Sequence, residues 1–136
     1  MRKLKRVTIY TDGASRGNPG PAAIGATIKD EQGRLITSIS QRIGRATNNH
    51  AEYRAIITAL EEAIRLGAKQ VEINSDSELV VRQINGEYRV KKATLKPLYQ
   101  RVKQLQSLLD SSTITYIPRQ QNIEADNLAN IALDTN

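Results

Sequence analysis

Four acidic residues stand where folding alone favours another kind of side chain. Asp12 ends the first predicted strand, and Asp76 directly follows a later one. Glu52 lies four residues before Ile56, on the stripe that an amphipathic helix buries, and Asp126 lies near the start of the last predicted helix. Strand ends and the starts of neighbouring helices meet at one edge of an α/β sheet, so we expect the four carboxylates to converge.

Carboxylates that converge without a cation repel one another, and at least one of them is driven towards protonation. A bound divalent metal ion removes that cost. The chain has no cysteine and a single histidine, His50, so oxygen ligands favour a hard ion such as Mg²⁺ or Mn²⁺ over zinc. Two such ions about 4 Å apart can activate a water and stabilise the leaving oxygen of a phosphoryl displacement.

Each acid also has a purely structural interpretation when it is taken singly. Asp12 suits a turn and Asp76 suits a helix N-cap, which are both common uses of Asp. Glu52 and Asp126 lie near helix N-termini, where an acidic side chain gains about 0.3–1 kcal/mol. These interpretations weaken when the four acids are considered together, because all four are predicted to meet at one edge of the sheet.

The positive charge of the chain is concentrated in one segment. In total, 20 Lys and Arg against 14 Asp and Glu give a formal net charge of +6. Between residues 87 and 103 only Glu87 opposes six basic residues, which are Arg89, Lys91, Lys92, Lys96, Arg101 and Lys103. Such a cluster indicates a polyanionic partner, usually nucleic acid, although a solvated helix face is the structural alternative.

The periodicity of apolar residues predicts the elements that carry these side chains. Alternation predicts an antiparallel meander, followed by a long helix and then by shorter alternating elements. The predicted strands are 4–11, 22–28, 35–43, 71–75 and 113–117, and the predicted helices are 49–66, 77–84, one from Pro97 to Leu109, and 123–133. The order β-β-β-α-β-α-α-β-α predicts an α/β fold, with a mixed sheet and helices packed against its faces.

Length and composition limit the class of protein. A chain of 136 residues fits one domain spanning 1–136, and no segment approaches the roughly 18 consecutive apolar residues of a membrane span. The basic N-terminus continues into the first strand without an apolar signal-peptide region, and the lack of cysteine fits a reducing compartment. We therefore expect a monomeric cytoplasmic protein that does not enter membranes.

Four segments resemble, in type and order, the motifs of the type 1 ribonuclease H family. They are 11–20 (TDGASRGNPG), 47–52 (TNNHAE), 74–77 (NSDS) and 124–129 (EADNLA). The resemblance covers essentially the whole chain, and the four spaced motifs together are highly specific. It implies the ribonuclease H fold, whose five-stranded mixed sheet has three antiparallel N-terminal strands, then parallel additions, and helices on both faces. The implied activity is hydrolysis of the RNA strand of RNA/DNA hybrids, leaving a 3′ hydroxyl and a 5′ phosphate.

The same resemblance implies roles for particular residues. Asp12 is expected to bridge two Mg²⁺ or Mn²⁺ ions, with Glu52, Asp76 and Asp126 completing their ligand shells. Groups expected to contact the minor groove, where the 2′ hydroxyl distinguishes RNA from DNA, are Gly13, Ser15, Arg16, Asn18, Asn48 and Asn49. Arg45 and Thr47 match positions that hold a phosphate of the DNA strand. Helix capping is the alternative interpretation of Asn48 and Asn49.

The chain departs from the better-known bacterial members at three places. Their loop before the last acid contains a histidine, whereas this chain has Arg119 there, which we interpret as assisting product release or positioning the attacking water. A phosphate contact, or no role, is the alternative for Arg119. The basic protrusion with its tryptophans is missing, so Lys91, Lys92 and Lys96 are expected to hold the hybrid instead. Glu78 stands where relatives often have a glutamine that touches RNA.

Three other functions compete with this hypothesis. A non-catalytic module that binds hybrids or duplexes is disfavoured, because a pure binder gains nothing from four acids that repel phosphate. Another nuclease of the superfamily, such as a resolvase or an integrase core, is disfavoured by the intact first motif. Cleavage of RNA/RNA duplexes in addition to hybrids stays open at this point, since archaeal-type members of the family resemble the chain.

Overall fold

The structure is a computed structural model that describes residues 5–135. Five strands and four α-helices follow one another in the predicted order, with a 3₁₀ turn at Arg119–Gln121. The strands are β1 (Arg6–Ser15), β2 (Gly20–Lys29), β3 (Leu35–Ala46), β4 (Gln70–Ser75) and β5 (Ser111–Tyr116). The helices are α1 (Asn48–Arg65), α2 (Glu78–Ile84), α3 (Lys96–Ser107) and α4 (Ile123–Asp134). The predicted first strand began at Leu4, which lies outside the described residues.

The strands form one mixed sheet in the order β3-β2-β1-β4-β5. The first three strands pair antiparallel, and β4 and β5 are added in parallel, which confirms the predicted arrangement. Strand β1 lies at the centre, where its carboxyl end and that of β4 point to the same edge. This edge is the place where an open α/β sheet offers a binding crevice.

The two faces of the sheet are covered by different helices. Alternate residues Val7 and Ile9 of β1 are fully buried in the core that also contains Ile56 and Leu60 of α1. On the opposite face, α4 packs across β1, β2 and β3, and its Ala132 lies in a small apolar cluster with residues of the sheet. Helices on both faces were predicted, and the structure confirms them.

Two glycines allow these helices to approach the sheet closely near the carboxyl end of β1. A Cβ at Gly13 would collide with the backbone of Ala51 in α1, and a Cβ at Gly25 would collide with the backbone of Ala125 in α4. Asp12 precedes Gly13 and pairs with Gly25 across the β1–β2 ladder. The side chain of Asp12 therefore lies on the face of the sheet that α4 covers, next to the point where α1 approaches the other face.

The prediction that β1 ends at Asp12 is wrong, and so is the interpretation of Asp12 as a turn residue. The ladder with β4 ends at the pair Thr11 and Ser75, whereas the ladder with β2 continues to Ser15. Asp12 is thus the first residue of β1 that lies beyond β4. Within the described part of the chain, no helix combines the length and the apolar character needed to cross a membrane.

Candidate active site

Three of the four predicted acids meet in one cluster. One carboxylate oxygen from each of Asp12, Glu52 and Asp76 lies within 4.8 Å of the others. Asp12 and Glu52 are only 6% and 8% exposed, respectively. Asp12 belongs to β1, Glu52 belongs to α1, and Asp76 directly follows β4. Three separate elements must therefore be in place before the cluster exists.

Asp126 faces the same cavity but stands outside that tight group. It is in the first turn of α4, and the proximity of its carboxyl group contributes to the raised pKa of Asp12. Nδ2 of Asn130 lies 3.3 Å from Asp126 Oδ1, and Nη2 of Arg119, a side chain that is 80% exposed, lies 3.9 Å from the same oxygen. Asn130 was not predicted, although its place one helical turn after Asp126 was a usable signal.

The four acids line a single open cavity of about 420 Å³, which we call the acidic cavity. Its lining residues are Asp12, Gly13, Ala14, Ser15, Arg16, Asn48, Glu52, Asp76, Arg119, Asp126, Asn130 and Leu133. The predicted convergence of the carboxylates at one sheet edge therefore holds, and the predicted contact residues Gly13, Ser15, Arg16 and Asn48 form part of the same wall.

Burial and mutual repulsion disfavour the charged forms of two of these acids. Burial raises the pKa of Asp12 to about 9, and the nearby carboxylates of Glu52 and Asp76 add to that effect. Burial likewise raises the pKa of Glu52 to about 8, although the N–H of Gly13 donates to Glu52 Oε1 at 2.7 Å and acts in the opposite direction.

Within residues 5–135, this cluster has no basic side chain as an ion-pair partner. Among residues 5–135, none of the ion pairs involves Asp12, Glu52 or Asp76. A buried, unpaired set of carboxylates that contains only oxygen donors fits a hard divalent cation. The residues present therefore suit Mg²⁺ or Mn²⁺.

Two structural interpretations of the acids fail. The N-cap of α2 is Ser77, whose hydroxyl accepts from the N–H of Val80, so Asp76 is not the cap. Glu52 is the fifth residue of α1, and the first turn of that helix contains no acid, so the helix dipole does not account for its position. Asp126 does lie in the first turn of α4, so a dipole contribution remains for that residue.

The capping interpretation of Asn48 and Asn49 is also wrong. Thr47 is the N-cap of α1, and its hydroxyl accepts from the N–H of His50 at 3.2 Å. Asn48 instead accepts from the N–H of Ser15 at 3.1 Å, and its own N–H donates to Asn18 Oδ1 at 3.2 Å. Asn48 thus connects the start of α1 to the end of β1.

The backbone donors of the first motif are used within the protein. The N–H of Gly13 donates to Glu52, that of Ser15 to Asn48, and that of Arg16 to the Pro21 carbonyl. Contacts of these residues with a ligand must therefore come from carbonyl oxygens and side chains. The guanidinium of Arg16 forms an ion pair with Asp134 at the exposed rim of the cavity.

The remaining predicted contact residues lie beside the acidic cavity rather than in it. A second depression of about 440 Å³, which we call the basic groove, is lined by Asn49, Leu79, Gln83, Glu87, Tyr88, Arg89, Lys91, Lys92 and Leu95. Lys96 lines an adjoining depression. Arg45 is exposed on the edge strand β3, opposite Pro21, and lines neither the acidic cavity nor the basic groove.

The charge of the predicted basic segment is partly compensated. Arg101 pairs with Glu61 at 2.9 Å, whereas Lys91, Lys92 and Lys96 are exposed and form no ion pair within the described residues. Three lysines are therefore free to bind an anion. The Glu78 carboxylate pairs with Arg82 at 3.0 Å, so its negative charge is partly balanced within α2.

A family model described as "Reverse transcriptase-like" matches residues 10–132. The ribonuclease HI of Halobacterium salinarum is 45% identical over 129 residues, which are 95% of this chain and 65% of that protein. A bifunctional protein of Mycobacterium tuberculosis is 43% identical over 130 residues, which are 95% of this chain and 36% of that protein. The chain therefore spans less than two thirds of the length of both relatives.

Solved structures agree with these matches. The crystal structure of ribonuclease H1 from Halobacterium salinarum has a TM-score of 0.93 at 45% identity, covering 95% of this chain and 98% of that one. LC11 ribonuclease H1, from a compost metagenome and solved with an RNA/DNA hybrid, has a TM-score of 0.89 at 44% identity, covering 94% and 96%. With the acidic cavity and all four motifs in place, the chain belongs to the type 1 ribonuclease H family.

Proposed function

We propose that this chain hydrolyses the RNA strand of RNA/DNA hybrids in the acidic cavity, with the help of divalent metal ions. The observation that carries this proposal is the cluster of Asp12, Glu52 and Asp76, whose oxygens lie within 4.8 Å of one another. The relatives named ribonuclease HI and ribonuclease H1, one of them solved with a hybrid, support the substrate class.

Two Mg²⁺ or Mn²⁺ ions are the proposed cofactors, held by Asp12, Glu52, Asp76 and Asp126. Asp12 is the central ligand in this proposal, because its carboxyl group is close to all three other acids. When bound, the ions supply an activated water and positive charge for the scissile phosphate. The protein contributes a rigid arrangement of ligands, which is set by β1, α1, β4 and α4 before the metal arrives.

Other side chains are proposed to bind and orient the hybrid. Asn48 and Ser15 border the acidic cavity where an RNA 2′ hydroxyl would lie, and Asn49, Lys91 and Lys92 line the basic groove beside it. The lysines provide sequence-independent attraction for the backbone phosphates. Arg119, exposed beside Asp126, is proposed to orient the attacking water or to assist release of the 5′ phosphate product.

A substrate panel tests this function. A labelled RNA/DNA hybrid, an RNA duplex and a DNA duplex are each incubated with Mg²⁺, Mn²⁺ or EDTA. We expect cuts in the RNA strand of the hybrid that leave a 3′ hydroxyl and a 5′ phosphate and that stop in EDTA. Cutting that persists in EDTA, or cutting of the DNA duplex alone, would contradict the proposal.

The RNA duplex is the second candidate substrate. The incubation with the RNA duplex tests separately whether the protein also cleaves RNA/RNA duplexes. Cleavage there at a rate comparable to that of the hybrid would support it, and no cleavage would exclude it. We further propose that the protein acts as a monomer. Sedimentation at the assay concentration tests this, and a dimer mass would contradict it.

A further inference from the structure

Asn122 joins the two elements that carry Asp12 and Asp126. Its side-chain Nδ2 donates to the carbonyl oxygen of Thr11 at 2.8 Å, and Thr11 immediately precedes Asp12. Its own carbonyl oxygen accepts from the N–H of Asp126 at 3.1 Å. Asn122 is only 1% exposed, so water does not compete for its side-chain bond. One buried residue thus links the backbone beside one carboxylate to the backbone of another.

The orientation of Asn122 differs from that of an ordinary helix cap. It is the N-cap residue of α4, yet its side chain accepts no hydrogen bond from the first turn. Thr47 and Ser77, the N-caps of α1 and α2, do accept such bonds. The Asn122 Oδ1 atom is buried without a partner among the described residues, which lowers stability. The amide is therefore oriented for its bond to Thr11.

Asp126 is the acid for which such a link matters most. The Gly13 N–H donates to Glu52 and holds α1 against β1, and the parallel ladder of β1 with β4 holds the strand that leads to Asp76. Asp126 has no comparable bond to β1 of its own, and it lies outside the tight cluster of three oxygens. The distance between Asp126 and Asp12 is therefore set by the position of the first turn of α4, which follows Asn122.

We infer that Asn122 is a positioning residue that sets Asp126 against Asp12 for divalent metal binding, without touching metal or substrate. This inference rests on the proposed function. Loss of the amide leaves the substrate-binding rim unchanged but moves one metal ligand. It therefore lowers kcat and weakens metal binding, while the KM for the hybrid stays unchanged.

The test compares Asn122→Ala with Asn74→Ala. Asn74 is a matched control, because it is 8% exposed and its Nδ2 donates to the Ile9 carbonyl of the same strand at 3.3 Å. The backbone ladder between β1 and β4 still holds its strand when this amide is removed. We expect Asn122→Ala to lower kcat by at least about 10-fold with KM within about 2-fold. Asn74→Ala is expected to lower the melting temperature similarly, with kcat within about 2-fold of wild type. Asn122→Ser keeps a good N-cap and serves as the variant if the alanine protein fails to fold.

Two further measurements separate positioning from a loss of stability alone. Adding Asn122→Ala to Asp126→Asn is expected to cause no further loss of kcat, because both changes remove the same contribution. Calorimetric titration with Mn²⁺ is expected to show weaker binding for Asn122→Ala than for Asn74→Ala. Multiplicative losses in the double variant, or equal Mn²⁺ affinities, would overturn the inference.

The same experiments distinguish failure of this inference from failure of the proposed function. A wild-type protein that does not cut the hybrid refutes the function, while Mn²⁺ titration of the two variants still tests the positioning. A wild-type protein that cuts the hybrid, together with equal kcat values for Asn122→Ala and Asn74→Ala, refutes the positioning alone.

Discussion

The acidic cavity and the basic groove lie side by side but are built in opposite ways. In the cavity, Asp12 of β1 and Glu52 of α1 are buried and have no ion-pair partner among the described residues. In the groove, Lys91 and Lys92 are exposed on the segment between α2 and α3. A buried charge without a partner is costly, whereas an exposed lysine is hydrated and costs the fold little.

This difference predicts a division of labour between rate and affinity. Preorganised charges in a buried site act on the transition state, so changes there should alter kcat. Exposed lysines act through counterion release from the nucleic acid, so changes there should alter affinity and its dependence on salt. Variants in the two regions should therefore have separable effects.

The largest effect is expected from Asp12→Asn in the acidic cavity. The change removes the central ligand while it keeps the shape of the side chain, so kcat should fall by at least about 100-fold. The affinity for the hybrid should change little. Single-turnover cleavage and a binding titration in EDTA measure the two quantities. Asp110 is an exposed acid after α3, so Asp110→Asn is the matched control and should keep full activity. Unchanged turnover in Asp12→Asn would refute the proposal that Asp12 is the central metal ligand.

A smaller effect, on affinity and not on kcat, is expected from joint replacement of Lys91, Lys92 and Lys96 by glutamine. Affinity for the hybrid should fall about 10-fold or more, and the slope of log affinity against log salt should become shallower by up to about 3. The kcat at saturating hybrid should stay near wild type. Filter binding across a salt series measures the slope.

Three basic residues at the opposite edge of the sheet, Lys5, Arg6 and Lys69, provide the control for this experiment. They are exposed and lie near the starts of β1 and β4, away from the basic groove. Their joint replacement by glutamine removes the same charge and should change the slope less. Equal slopes for the two triple variants would show that binding follows net charge alone and not the groove.

The smallest effect is expected from Arg119→Ala, because this side chain is exposed and only 3.9 Å from one oxygen of Asp126. We expect a reduction of kcat by roughly 3–10-fold, with recovery in Arg119→Lys if positive charge is what matters. Burst kinetics distinguish slow chemistry from slow product release. A kcat equal to that of wild type would leave Arg119 without a role in the reaction.

Much of the fold and of the site follows from local pattern in the sequence. Glu52 was expected to face inward because it lies on the buried stripe of its helix, and the structure buries it. Asp126 was expected near a helix start, and α4 begins three residues before it. These expectations depend on helical periodicity, which is a local property of the sequence.

The remaining features depend on contacts between distant parts of the chain. Gly13 was expected only as a substrate contact, but a glycine is also required there because α1 approaches β1 closely. Asn122 is the N-cap residue of α4, but its side-chain amide donates to Thr11 of β1 and does not cap the helix. Asn130 contacts Asp126 from the next turn of α4. No local periodicity predicts the first two contacts, because they arise only when the elements have packed.

The most direct test of the metal-binding claim is the free energy of unfolding against pH, measured in EDTA and in Mg²⁺. The pKa values of Asp12 and Glu52 are raised mainly by burial, so the folded protein keeps protons that the unfolded chain has released. In EDTA, stability should therefore fall as the pH rises from about 5 to about 8, by up to about 1.4 kcal/mol per pH unit for each proton.

Mg²⁺ should restore stability near pH 8, where the carboxylates can exchange protons for metal, and should have little effect near pH 5. The curves in EDTA and in Mg²⁺ should therefore diverge as the pH rises. Parallel curves, or a protein that Mg²⁺ does not stabilise at pH 8, would contradict the claim that this buried cluster exists to hold divalent ions.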